Sequence, residues 1–256
     1  MTNQVDFQII AETEDLLLLS KPPHLLVHPS KPGDSPTLWD HLRELLLYER
    51  TTGGQISLIN RLDRETSGLM LVAKTYQAAR YCAMAMEQRK IKKEYLALVL
   101  GHFPEEERLI DEPIIRLGEV SSSEVWLKRA IHPKGAPAQT QVSIEKKLLH
   151  PNYGAISLLR CIPKTGRTHQ IRVHLSSLGY PILGDKIYGP SEKYYLQFID
   201  QGWTPQLAEK LYIPRHALHS AALEFSYQGE EERWESPLSG DLEEILQACS
   251  IMDDKK

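Results

Sequence analysis

Two polar segments of this chain hold the residue types that do chemistry. NRLDRETSGLMLVAK at 60–74 sets Asp63 between Arg61 and Arg64, directly before an apolar strand-like run. A carboxylate paired with guanidinium groups stays ionised and is held in one geometry. The second segment, KTGRTHQIRVHLSSLGYPILGDKIYG at 164–189, runs from the end of a strand pattern into a helix pattern. First-turn N–H groups together with Arg167 would there receive an anion such as phosphate, or a carboxylate. Plainer uses compete with both readings. An Asp between arginines on a loop is most often a surface ion pair, Thr-Ser-Gly most often turns the chain, and TGRTH can simply cap a helix. His169 and His174 are five apart, whereas two metal ligands share a helical face at a spacing of about four, so zinc is not indicated. The sequence has no Walker loop, no GxSxG and no GxGxxG.

The elements that must position these segments are legible in outline. LLLLSKP at 16–22 reads as a buried strand ended by Pro22-Pro23, with a second short run, LLVHP, at 25–29. Thr37 can cap a helix through about Glu49, because Leu38, Leu42, Leu45 and Leu46 fall on one face. LMLVAK at 69–74 reads as a strand, the Ala- and Met-rich stretch 76–90 as a helix, and KKEYLALVLG at 92–101 as a strand running into a glycine. Thr140, Val142 and Ile144 alternate with Gln141, Ser143 and Glu145, the period of a half-buried strand. AISLLRCI at 155–162 is another strand, after which Thr168 can cap a helix over 169–178 stopped by Gly179. Strands and helices are interspersed without regular βαβ alternation, so the fold class is α+β.

The chain has 256 residues, with 30 Lys+Arg against 34 Asp+Glu, a net charge of −4. That length bounds the chain at one to two domains with a real core. No apolar run approaches the roughly 20 residues of a membrane helix, and the N-terminus lacks a basic region followed by an apolar stretch. Three cysteines, Cys82, Cys161 and Cys249, are odd in number and far apart. Neither a disulfide framework nor a metal site follows from them, and a reducing cytoplasm is the expected compartment. The net charge by itself speaks against a polyanion partner. Read by position it does not: 60–95 carries eight basic residues against four acids, and 160–186 carries five against Asp185 alone. The acids gather in 1–20, 104–119 and 224–254. The two basic blocks are expected to form one positive cleft around Asp63, with the acidic tail facing away.

RLDRETSGLMLVAK closely resembles the catalytic motif of the RluA family of pseudouridine synthases, where an Asp lies in an RLD-x-x-TSG segment. Four further segments resemble that family in its order: LLLLSKPPHLLVHP, KKEYLALVLG, KTGRTHQIRVHLSSLGYPILGDKIYG and, at 216–227, HALHSAALEFSY. The likeness covers about residues 15–227. It implies a single catalytic domain over 1–256, with a mixed, largely antiparallel sheet flanked by helices around a central active-site cleft. The implied activity is isomerisation of specific uridines in structured RNA, a stem-loop of rRNA or tRNA, with neither cofactor nor metal. Asp63 aligns with the catalytic aspartate, Tyr95 with the tyrosine packed beside the target base, and Arg167 with the arginine that pairs with the aspartate. Arg61, Arg64, Lys164, His169 and Arg172 are the implied RNA contacts. A cytoplasmic monomer is expected. Two departures from the family's pattern stand out. Asn60 occupies the place before RLD where the family commonly has His, which should alter RNA contacts and spare catalysis. The first motif begins near residue 15, leaving no accessory RNA-binding domain before it. The rival reading is a catalytically silent RNA-binding protein that keeps the fold. A glycosidase carboxylate pair is disfavoured because no second acid has a comparable motif.

Overall fold

A computed structural model describes residues 7–29 and 36–251; Asp6, Asp253 and Asp254, counted among the terminal acids above, lie outside them. In chain order the elements are β1 (Gln8–Glu12), β2 (Leu16–Lys21), α1 (Leu38–Leu45), α2 (Leu47–Thr51), β3 (Ser57–Leu58), β4 (Ser67–Ala73), α3 (Tyr76–Glu87) and β5 (Lys92–Leu100). They continue as β6 (Glu107–Asp111), β7 (Ile114–Arg116), β8 (Arg129–Ile131), β9 (Gln139–His150), β10 (Gly154–Pro163) and α4 (Gln170–Ser177). Last come α5 (Lys193–Gln201), α6 (Pro205–Leu211), β11 (Leu218–Tyr227), β12 (Glu230–Glu235), α7 (Gly240–Gln247) and β13 (Ser250–Ile251). The chain divides into two compact units. One runs up to Lys93 and takes in His219–Ser239; the other comprises Glu94–Leu218 and the segment from Gly240 onward.

In the first unit β2 pairs antiparallel with both β1 and β4, and β3 lies antiparallel on β4. The leucines of β2 and every residue of β4 are buried, so these strands read as continuous apolar runs instead of alternating ones. The spacing of Ala78, Cys82 and Ala85 puts small side chains on one face of α3, which packs on Leu16, Leu18, Leu69, Leu71 and Ala73 together with Leu223 and Phe225 of β11. β11 joins β4 in parallel, His219 opposite Ser67 and Ser220 opposite Gly68. That approach requires a glycine. Gly68 has φ +104°, and a Cβ there would sit 2.2 Å from the Ser220 carbonyl oxygen.

In the second unit β10 is flanked antiparallel by β5 and β9, and β6 and β13 add to β9. The pairing of β9 and β10 slips between Leu158 and Leu159, opposite Lys146 and Ile144. β7 and β8 form a separate two-stranded ladder, and its apolar side packs into a cluster of Ile114, Val125, Ala138, Val173, Ile187 and Tyr188. Across the described pairings only β4 with β11 is parallel, so the structure is α+β with largely antiparallel strands, as the sequence indicates.

Several expectations need correction. The helix from Thr37 has the expected cap, a reciprocal pair in which the Thr37 hydroxyl accepts from the Asp40 amide and Asp40 accepts from the Thr37 amide. It stops at Leu45 and restarts as α2 because Leu46 takes φ −98°, ψ 36°. LLVHP at 25–29 forms no strand. The second motif's helix runs from Gln170 to Ser177 instead of over 169–178, and its cap position is His169, in the left-handed region at φ +57°, not Thr168.

Candidate active site

The Asp63 turn is fastened from three directions, all within the first unit. Thr66 N–H donates to the Asp63 carbonyl at 3.1 Å, closing the turn ahead of β4. Asn60 is buried, and its side chain straddles the strand that follows: Oδ1 accepts from Leu71 N–H at 2.8 Å and Nδ2 donates to Leu69 C=O at 3.1 Å. Lys21, wholly buried at the end of β2, donates to the carbonyls of Pro22 (2.8 Å), Leu25 (3.1 Å) and Arg64 (3.1 Å). Ser67, at the start of β4, bonds His219 Nδ1 at 2.9 Å, while His219 Nε2 faces the Ser236 carbonyl at 3.3 Å. A carbonyl only accepts, so Nε2 carries a proton toward Ser236, and the Ser67 hydroxyl also meets Ser239 Oγ at 3.3 Å. Asp63 itself is half-buried between exposed Arg61 and Arg64, and Arg64 Nε donates to the His24 carbonyl at 3.3 Å. The result is a backbone held in place around a half-buried Asp63.

Asn60 therefore belongs to the scaffold, and the expectation that it alters RNA contacts gives way. Both ends of its amide are spent on β4.

Tyr95 and Arg167 belong to the second unit. Tyr95 lies on β5 opposite Cys161 of β10 and is almost fully buried. Burial pushes the Cys161 thiol up to about 12, so that neighbour is inert packing. Next to Tyr95, Glu94 pairs with Arg160, which also holds Glu145 at 2.7 Å and so ties β5, β10 and β9 together. Arg167 is exposed in the loop between β10 and α4. Its Nε donates to Pro137 C=O at 3.1 Å, and Gln170 arranges the loop around it. Gln170 Oε1 accepts from the Arg167 amide (3.0 Å) and the Thr165 hydroxyl (2.7 Å), while Nε2 donates to Gln139 C=O (2.8 Å) and Thr140 Oγ1 (3.0 Å). A buried glutamine thus does the work expected of a Thr168 cap.

The remaining candidates separate by burial. Lys164 is exposed and His169 half-buried, its Nδ1 2.8 Å from the Tyr188 hydroxyl. Arg172, expected among the RNA contacts, is buried and forms a bidentate pair with Asp185 at 2.7 and 2.9 Å. Burial alone would push the Asp185 carboxyl up. The Arg172 charge and hydrogen bonds, His216 and the Tyr188 amide reverse that and hold it well below the usual carboxylate range. Arg172 is a structural cation. His174 is likewise buried between the Thr140 hydroxyl and the Glu112 carbonyl, and desolvation lowers its pKa.

The charge count shrinks in the same way. In 160–186, Arg160 and Arg172 face carboxylates and Lys186 is buried against Pro214 C=O at 2.6 Å, leaving Lys164 and Arg167 exposed. In 60–95, Lys74 is buried against Glu12 at 2.6 Å and Lys92 pairs with Glu224, while Arg61, Arg64, Arg80, Arg89 and Lys90 are exposed. The local charge read from sequence overstates what a polyanion can reach. Sequence reasoning also passed over Lys21, Gln170 and His219; a lysine closing an apolar strand was the one visible signal among them. Among the described residues no group of three or more His, Cys, Asp or Glu could hold a metal ion, and no helix is long and apolar enough to cross a membrane.

The family model for RNA pseudouridylate synthase matches residues 15–177. The chain is 35% identical over 251 residues to ribosomal large subunit pseudouridine synthase D of Nitrosomonas europaea, covering 95% of this chain and 65% of that protein. It is 34% identical to synthase C of Pasteurella multocida, over 96% of this chain and 69% of the relative. The chain thus spans about two thirds of the length of these relatives. Among solved structures, human RNA pseudouridylate synthase domain containing 1 superposes with a TM-score of 0.72 at 25% identity, covering 97% of this chain and 89% of that one. Human domain containing 4 gives a TM-score of 0.72 at 24% identity, over 96% and 95%, and shows the shared fold. The turn that presents Asp63 lies inside the matched segment, and the chain belongs to the RNA pseudouridylate synthase family.

Proposed function

We propose that this protein isomerises uridine to pseudouridine in a stem-loop of ribosomal RNA, with Asp63 as the acting carboxylate. The reaction breaks the N1–C1′ bond, turns the uracil while it stays bound and joins C5 to C1′; the C5 proton leaves and N1 takes up one proton, so product and substrate are isomers. It is balanced without redox change, hydrolysis or a group donor, so neither cofactor nor metal is called for. Asp63 must be anionic, whether it adds to the ribose, adds to the uracil or takes a proton from C2′. The observation that carries the reading is the fastened turn: Asn60, Lys21 and Ser67 hold the chain on either side of half-buried Asp63. Such a preorganised group costs little to aim at the moment of reaction.

Tyr95 and Arg167 act on the same nucleotide in this proposal. The Tyr95 phenol packs against the uracil and takes the C5 proton, and Arg167 pairs with Asp63. The base reaches them by leaving its stack. Arg61 fills the vacancy, and Arg64, Lys164 and His169 bind the backbone. The protein works in the cytoplasm as a monomer.

The test is tritium release from RNA labelled at uracil C5, comparing wild type with Asp63→Asn on ribosomal RNA, bulk tRNA and a mixture. Release by wild type from ribosomal RNA, and none by a folded Asp63→Asn variant that still binds, is the expected result. Activity in the variant would remove Asp63 from the reaction. Wild-type binding without release would favour a silent RNA-binding protein, and release from tRNA alone would move the substrate.

A further inference from the structure

The ladder of β7 and β8 carries an aromatic surface that the reaction above does not use. Residues 117–128 form the loop of this ladder, closed at its base by Leu117 N–H to Lys128 C=O at 2.9 Å. Val125 is buried in the cluster with Ile114, Val173 and Tyr188. Trp126, the next residue, is 74% exposed. Anchoring one residue inward fixes its neighbour outward, so the indole is held in water by the fold. The Arg116 guanidinium lies 3.7 Å from the centre of the Trp126 ring, and its Nε is held by Glu119 at 3.2 Å. A guanidinium behind one face leaves the other open, a flat aromatic shelf whose backing cation is itself paired with Glu119.

The ladder is joined to the Arg167 segment. The Tyr188 hydroxyl accepts from the Arg129 amide at 2.9 Å and meets His169 Nδ1 at 2.8 Å. Pro137, whose carbonyl receives Arg167 Nε, follows Ala136, which pairs with Ile114 of β7. Lys134, in the turn after β8, is exposed beside them. The shelf and Arg167 thus stand on one connected body in the second unit, which exposes Lys134 and Arg167 as well as Glu119 and Glu124.

We propose that the open face of Trp126, backed by Arg116, stacks an unpaired nucleobase of the RNA. This rests on the RNA-modifying function proposed above and adds a second base contact, remote from the reacting uridine. Every base has a π-face, so the shelf selects for unpaired nucleotides and not for a sequence. An indole 74% exposed with a guanidinium behind it is a π-face free to stack a base, and Lys134 and Arg167, exposed on the same unit, can meet the phosphates of the RNA.

The test measures binding of the full chain to two protein-free RNAs, a hairpin with an unpaired loop and the blunt duplex of its stem. Base stacking on an aromatic is worth enough that Trp126→Leu should weaken hairpin binding roughly five- to hundredfold. Trp126→Phe should lose far less, and neither variant should change duplex binding. The slope of log Kd against log salt should stay constant, since no phosphate contact is lost. Equal hairpin affinity for Trp126→Leu and wild type overturns the proposal, as does an equal loss on hairpin and duplex. Should Trp126→Leu fail to fold, photocrosslinking of wild type to a hairpin with 5-iodouridine in its loop decides, and absence of a crosslink at Trp126 overturns it. A deficit seen only with intact ribosomal subunits would mean a protein contact and also overturn it. A wild type that neither binds RNA nor releases tritium removes the RNA function itself, a result distinct from these.

Discussion

Replacing Asn60 by Ala should separate the positioning of Asp63 from its chemistry. The Asn60 amide is the partner of Leu71 N–H and Leu69 C=O in a buried setting. Truncation strands both backbone groups, each at about 1–3 kcal/mol. Water reaching the site from the half-buried turn recovers part of that, so the expected loss is about 2–4 kcal/mol, a large share of the stability of an ordinary domain. Because the lost bonds lie between the turn and β4, the Asp63 loop loosens first. The tritium-release rate at saturating RNA should fall at least about tenfold, with the apparent RNA affinity little changed. Asn60→Asp should be worse than its size suggests, since it turns a donor facing Leu69 C=O into a buried anion. Asn60→His should keep much of the wild-type behaviour, because an imidazole can accept on one nitrogen and donate from the other. Urea unfolding gives the stability and single-turnover tritium release the rate. An Asn60→Ala protein within about 0.5 kcal/mol of wild type and equally active would refute the reasoning, since surface substitutions alone span that range.

Arg172→Met should cost about 3–5 kcal/mol in urea unfolding, because it leaves the buried Asp185 carboxylate without its partner. The folded Asp185 pKa lies below its ordinary 3.8, so its contribution is present above about pH 4 and lost as pH falls through the folded value. The stability gap between wild type and Asp185→Asn should therefore narrow from pH 7 to pH 3; a constant gap would contradict it. Gly68→Ala should fail to fold or lose more than about 4 kcal/mol, since φ +104° and a 2.2 Å approach to Ser220 O leave a methyl no room. A melting temperature near wild type would show that β4 and β11 can separate cheaply.

Which parts of this molecule the sequence reveals follows from the range of the forces involved. β2, β4 and α3 were legible because their burial pattern is written in consecutive residues. Their strand and helix periods are local properties. The short β6, β7 and β8 and the helices α5, α6 and α7 were not, because they are half-exposed and owe their form to neighbours far along the chain. Asp63 stood out as an acid in a polar loop ahead of a strand. The fate of the cations could not be read, for each depends on a partner set by the fold. Arg172 meets Asp185 thirteen residues on, Lys74 meets Glu12, and Arg160 gathers Glu94 and Glu145. The missing Thr168 cap has the same origin, since Gln170 stabilises the loop through Gln139 and Thr140 of another strand.

The bond between Ser67 and His219 joins residues 152 positions apart, and the strand that carries His219 is the parallel partner of the strand that follows Asp63. During synthesis β1 to β4 leave the ribosome long before that partner exists. A parallel pairing of such long range contributes nothing until the intervening chain has been made, and it is slow to form afterwards. Until β11 is made, the Asp63 turn rests on its ties to Thr66, Asn60 and Lys21 and on the pairing of β4 with β2 and β3. A chain that ends before β11 would lack both the Ser67–His219 bond and the parallel partner of β4.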